Sequence, residues 1–327
     1  MDFLTANHSS YPRIGSNRSE QVLRRTMTQR DRGEKADADV RAAEDHMVLL
    51  ALQEQEEAGL DIVTDGLTRW NDPVSHLASK LEGARINGLL RYFDTNFYFR
   101  QPTISRKIKR TRALVVGEFQ QATKRTAKPV KPILTGPCTL ARLSLQDRVA
   151  AGPASLTLAF ADVLSAEVAD LAAAGARMIQ IDEPCLLKYP GDLPLGGEAL
   201  AMIADRKGQA ELMLATYFGD AAPVYTELQR LPVDALILDL IYGPNLPSVI
   251  EAEGSAKPLG FGLLDGRNTK LEEMKRVAHT VERMLARVTA ERCYLTTSCG
   301  LEYLPRDRAR LKLKHLTSIR NCIMGES

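Results

Sequence analysis

The feature that most constrains this chain is a beat of short apolar runs, each ending in polar or sharply turning residues, with helical patterns between most of them. The runs are Leu4–Asn7, Leu60–Thr64, Pro132–Leu134, Arg177–Ile181, Glu211–Ala215, Ala235–Leu238, Leu259–Leu263 and Cys293–Thr297. Runs this short, alternating with amphipathic or Ala/Leu-rich helical segments, predict parallel strands joined by crossover helices. Eight of them predict a (β/α)8 barrel, and 327 residues is an ordinary length for one. We therefore expect α/β class and a single domain over residues 1–327. In such barrels substrate binds at the C-terminal ends of the strands. The residues at those ends here are His8-Ser9-Ser10, Asp65-Gly66, Thr135-Gly136, Asp182-Glu183, Thr216, Asp239, Asp265 and Ser298-Cys299-Gly300.

The spacing between runs is helical at Ala38–Ala58, Ser155–Ala174 and Lys270–Val288, and these predict outer helices. Asn71–Leu81 and Ser105–Thr126 are also expected to be helical. Between them Tyr92, Phe93, Phe97, Tyr98 and Phe99 crowd into one stretch, and the alternation Asn96–Arg100 predicts an aromatic β-hairpin inserted after the second strand. Such a hairpin serves either as core padding or as a lid over a flat ligand.

Composition removes several functions. A net charge of +2 gives no electrostatic case for nucleic acid or an acidic membrane surface. No apolar run approaches the roughly 18 residues of a membrane span, and MDFLTANHSS has no basic-then-apolar leader. Five widely spaced cysteines, an odd number, predict reduced thiols and a cytoplasmic location. The chain has no CxxC, HExxH, GxGxxG or P-loop pattern.

Of the strand-end residues, Asp182-Glu183 is the sharpest acid pair. Adjacent strand residues face opposite ways, so one carboxylate points into the barrel and can hold an ammonium group. Asp65 and Asp239 are either ligand contacts or helix caps. A metal site assembled from Cys299, Asp239 and His8 would supply the S, O and N donors zinc takes.

Eight motifs carry a resemblance to one family: Ser10-Tyr11-Pro12, Asp65-Gly66, Tyr92–Tyr98, Leu134–Pro137, Ile179–Pro184, Thr216–Asp220, Asp265–Asn268 and Ser298–Leu301. In this order, over nearly the whole chain, they resemble cobalamin-independent methionine synthase. The resemblance implies methyl transfer to the sulfur of homocysteine or a similar thiol or amino-acid acceptor. The donor it implies is a methyl-folate, or methylcobalamin, the latter needing a corrinoid or other partner protein. It implies Asp182 at the acceptor's amino group and Ser10 at its carboxylate, with Asp65, Thr216, Asp265 and Asn268 also at the substrate. Trp70, Asn71, Asp72, Asn96 and Tyr98 are then expected over the donor.

The family's zinc ligands are an H-x-C pair, an acid and a cysteine. Cys299 matches the last and Asp239 stands at the acid position. Thr216-Tyr217-Phe218 stands at H-x-C, where threonine is a poor ligand and phenylalanine cannot be one. A catalytic zinc needs three protein ligands, which leaves His8 as the recruit that barrel closure brings closest. The expectation is less than one zinc per chain. A second amino-group acid of the family falls near Leu67. Tyr92–Tyr98, Thr216–Asp220 and Asp265–Asn268 look more like the non-catalytic barrel of the long two-barrel enzyme. Two alternatives therefore stand beside the methyltransferase. One is a metal-free lyase resembling uroporphyrinogen decarboxylase, using Arg13, Arg69, Arg100 and Arg267. The other is a non-catalytic ligand-binding homologue.

Overall fold

The computed structural model describes residues 1–146 and 152–325. Its strands, in chain order, are β1 (Asp2–Thr5), β2 (Glu82–Arg91), β3 (Tyr98–Lys109), β4 (Ile133–Thr135), β5 (Leu145–Gln146), β6 (Met178–Asp182), β7 (Glu211–Thr216), β8 (Ala235–Asp239), β9 (Leu259–Leu264) and β10 (Arg292–Thr297). Seven of them form one parallel sheet in the order β1-β10-β9-β8-β7-β6-β4. The gap between β1 and β4 is closed by Ile62 and Val63, which bridge in parallel to Ala6 and Val130. Val63 N donates to Pro129 O at 3.0 Å, and Lys131 N donates to Val63 O at 2.8 Å. The result is a closed parallel barrel.

The predicted strand Leu60–Thr64 is thus present only as two bridges, because side chains take over its backbone partners. Asp61 Oδ2 accepts from Thr5 N and Thr5 Oγ1, both at 2.8 Å. Gln55 accepts from Thr64 N and donates to Thr64 O, each at 2.9 Å. Strands buried on both faces read as near-continuous apolar runs, and β8 and β9 are buried at every residue. Outer helices Asp37–Glu57, Pro153–Ala173, Leu193–Ala204, Met274–Leu285 and Arg306–Met324 cover the sheet.

Outside the barrel, β2 and β3 pair antiparallel, with Leu90 opposite Phe99 and Arg91 opposite Tyr98. The expected helix Ser105–Thr126 is mostly not one. Its first half continues β3 to Lys109, with Ile104 and Ile108 turned inward, and only Val116–Thr123 is helical. The basic residues that suggest a helix lie on the exposed face of a strand. The helix starts late because the buried Glu167 carboxylate, from another helix, accepts from Leu114 N at 2.8 Å and Val115 N at 2.6 Å. The helix expected over Asn71–Leu81 shrinks to Ser75–Ala78. Pro73 disfavours helical backbone at Asp72, whose carboxylate instead takes Val74 N at 3.0 Å and Ser75 N at 2.6 Å.

Candidate active site

The acid pair divides as strand geometry demands. Glu183 turns away from the barrel and accepts from Cys138 N and Thr139 N, both at 2.8 Å, and from Thr139 Oγ1 at 2.6 Å. It anchors the start of helix Pro137–Leu143, so its role is architectural. Gly136 is required beside it, since a Cβ there would sit 2.3 Å from Glu183 Cγ. Asp182 turns inward. Its Oδ1 accepts from Gln180 Nε2 at 2.7 Å and its Oδ2 from Tyr217 OH at 3.2 Å. Gln180 in turn accepts from Lys131, whose Nζ also reaches His8 O at 3.1 Å. Burial pushes the Asp182 carboxyl up and the Lys131 ammonium down, the attraction between them opposing both.

Next to this network, across the 3.4 Å contact between the Tyr217 and Tyr92 hydroxyls, lies a cleft. Four segments meet there: Ser10–Arg13, Gly66–Pro73, the β2–β3 hairpin, and the loop after β10. Trp70, Tyr92, Phe97, Tyr98 and Tyr303 give it aromatic walls. Phe97 and Tyr303 meet edge to face at 4.8 Å. Among the described residues, the non-glycine positions with positive φ, Leu67, Phe93 and Phe218, all stand at this mouth or in the aromatic cluster behind it. Bulky residues held in that region carry backbone strain, which tends to gather at ligand sites.

Several polar atoms at the strand ends are buried without a partner: His8 Nε2, Ser10 Oγ, Thr216 Oγ1 and Glu302 Oε2. Such atoms cost stability unless something bonds them. His8 Nδ1 lies 3.0 Å from Ser9 Oγ, and its ring meets Tyr217 edge-on at 5.3 Å. Burial, aided by Lys131, holds its pKa well below the usual histidine value. Burial raises the Glu302 carboxyl to about 7, against the pull of its own backbone amide and Tyr303.

Other expected residues are placed as follows. Trp70 lines the cleft, donates to Glu118 Oε2 at 3.1 Å and stacks on His76 at 4.7 Å. Asn71 is an exposed residue at the rim, and Tyr98 is exposed on the hairpin. Asp72 also lines the cleft, but its oxygens hold its own turn and Arg100 N at 3.1 Å. Asn96 is exposed and does not line the cleft. Asp65 accepts from Leu67 N at 2.9 Å and faces a separate recess with Lys131 and Glu118; burial lifts it to about 6. Asp265 and Asn268 line an outer groove, where they stabilise the turn by accepting from Arg267 N at 2.9 Å and Lys270 N at 3.0 Å. The arginines proposed for a lyase site have protein partners: Arg13 with Thr68 O, Arg69 with Asp45, Arg100 with Asp72, and Arg267 with Asp94 O.

The metal donors do not fit a zinc ion. Asp239 uses Oδ1 for Ile241 N at 2.9 Å and Tyr242 N at 3.0 Å, and Oδ2 for Phe218 N at 3.1 Å. Cys299 is buried, and burial beside Asp239 and Glu302 raises its thiol well above the ordinary range. Among the described residues no three His, Cys, Asp or Glu side chains converge as a metal site. Phe218 closes the H-x-C position, packed against Tyr217 at 4.7 Å and under Arg267 at 5.5 Å. Glu302 and Tyr303 were not singled out from the sequence. The available signal was an acid three residues after Cys299 in the same loop.

A closed parallel barrel with polar groups gathered at its C-terminal mouth is the architecture in which barrel enzymes bind their substrates. Residues 4–321 match the family described as "Cobalamin-independent synthase, Catalytic domain". The methionine synthase of Saccharolobus solfataricus is 30% identical over 302 residues, 92% of this chain and 90% of that one. That of Sulfurisphaera tokodaii is 28% identical over 305 residues, 93% of this chain and 89% of that one. The chain belongs to the cobalamin-independent methionine synthase family and is a methyltransferase enzyme. A B12-independent methionine synthase from a Shewanella species, solved with selenomethionine, shares the fold at TM-score 0.80 and 22% identity, with 98% of both chains covered. A methyltransferase from Methanosarcina mazei shares it at TM-score 0.63 and 13% identity, over 97% of this chain and 94% of that one. No helix among the described residues is long and apolar enough to cross a membrane.

Proposed function

We propose that the chain, read as one catalytic unit, moves a methyl group from a methyl-folate to the sulfur of homocysteine or a closely similar thiol amino acid. The observation that carries this is the family match over residues 4–321. A family named for working without cobalamin favours a folate over methylcobalamin, and a free donor over a corrinoid partner protein. Selenomethionine in the Shewanella protein supports an amino-acid ligand of this shape. Aromatic walls such as Trp70 and Tyr98 suit a flat pterin ring.

The acceptor's carboxylate is read at Ser10, and its sulfur toward His8 and Thr216. The thiol must lose its proton to become a nucleophile. The family implies zinc for that step, but the donors here do not fit one. His8 is the base we assign. Burial keeps the imidazole neutral. With its proton on Nδ1 toward Ser9 Oγ, Nε2 is free to accept the thiol proton. The S–CH3 bond then forms as the donor N–CH3 bond breaks, and the proton ends on the donor nitrogen.

The test is methionine formation from L-homocysteine and 5-methyltetrahydrofolate triglutamate, with and without added zinc. Turnover independent of zinc is expected, and His8→Asn should lower kcat by about 100-fold. Binding of both ligands without turnover would make the chain a non-catalytic homologue. A requirement for zinc would remove His8 from the role of base.

A further inference from the structure

We infer that Glu302 is the carboxylate that receives the α-ammonium group of the amino-acid ligand; this rests on the reading of function above. An α-amino acid carries its ammonium and its carboxylate on one carbon. A site that reads both must hold an acceptor and a donor a few ångströms apart. Glu302 Oε2 and Ser10 Oγ are such a pair. Both are buried without any partner. Both lie within 2.5 Å of one point, the position a Cβ on Gly300 would take. Glu302 is partly buried as a residue, yet this oxygen is sealed from solvent and belongs to a residue lining the aromatic cleft.

The other acids at the mouth are committed elsewhere. Asp182 binds Gln180 Nε2 at 2.7 Å and Tyr217 OH at 3.2 Å. Asp239 binds three backbone amides. Among the described residues no cation is paired with Glu302: Lys131 turns to His8 O and Gln180, and Arg13 turns to Thr68 O. Tyr303 engages the Glu302 carboxyl and leaves Oε2 without a partner; the charge complement of that oxygen beside a free hydroxyl in an apolar-walled cleft is a ligand ammonium, with the ligand carboxylate accepting from Ser10. The Asp182 charge acts on Glu302 and adds to the upward push of burial on its carboxyl.

The probes are L-methionine and its des-amino analogue 4-(methylthio)butanoate, titrated calorimetrically into wild-type, Glu302→Gln and Glu302→Asp protein, with circular dichroism to verify folding. Wild type should bind methionine at least tenfold more tightly than the analogue. Glu302→Gln should lose at least tenfold for methionine and less than twofold for the analogue, so that discrimination collapses. Glu302→Asp should recover part of it. If folded Glu302→Gln keeps the wild-type preference, Glu302 is not the ammonium site, and the proposed function stands. If wild type binds neither methionine nor homocysteine, the proposed function fails and this inference falls with it.

Discussion

At the scale of single residues, the arrangement turns on how little room Gly300 leaves. A Cβ there would come within 2.0 Å of Ser10 Oγ and 3.0 Å of Ser9 Oγ, as well as crowding Glu302. Gly300→Ala should therefore displace the loop that carries Glu302. Methionine affinity should fall at least tenfold, and stability by about 1–3 kcal/mol, the usual cost of overpacking. Calorimetric titration and urea unfolding measure the two, and unchanged affinity would show that the loop is not part of the binding site. The inward turn of Asp182 and outward turn of Glu183 were legible, because alternation along a strand is a local property. The free oxygen of Glu302 was not. Whether a carboxylate has a partner depends on which other segments reach it, and Ser10 lies almost the full length of the chain away.

Among the elements, the barrel strands were legible because fully buried parallel strands leave continuous apolar runs. The segment Ser105–Thr126 was not, because Arg106, Lys107 and Lys109 suit an exposed strand face as well as a helix. Nor could the sequence show that Asn96 lies off the cleft while Phe97 and Tyr98 line it. The hairpin adds aromatic surface to one wall, and Phe97 bears on Tyr303 at 4.8 Å. Replacing both Phe97 and Tyr98 by Ala should raise KM for the folate donor about tenfold or more, since a ring stacked on an aromatic face gains about 1–3 kcal/mol in comparable sites. KM for homocysteine should stay within twofold. Equal increases in both would assign the hairpin to the fold rather than to the donor.

For the molecule as a whole, buried carboxyls set the pH response. Burial raises Asp65 to about 6, and Glu183, Asp239 and Glu302 to about 7. Each folded-state value lies above the ordinary 3.8 of Asp or 4.5 of Glu that holds in the unfolded chain. The folded protein thus binds more protons than the unfolded one between about pH 4 and 7, and this contribution to stability is lost as pH rises through the folded values. Urea midpoints should be higher at pH 5.5 than at pH 8, and Glu302→Gln should flatten part of that slope. A slope of opposite sign would mean that the buried His8 and His76, whose pKa values burial lowers, outweigh the carboxyls. The barrel's closure has a consequence of another kind. Seven staves are pinned along their length, while the eighth, at Ile62 and Val63, is pinned at two points and cross-stitched by Asp61 and Gln55. A hoop yields at its thinnest stave, and this one runs directly into Asp65 and Gly66. Gly66 lines the cleft, so the ligand's rim is attached to the most sparsely bonded stave of the ring, with β8 and its Asp239 diametrically across from it.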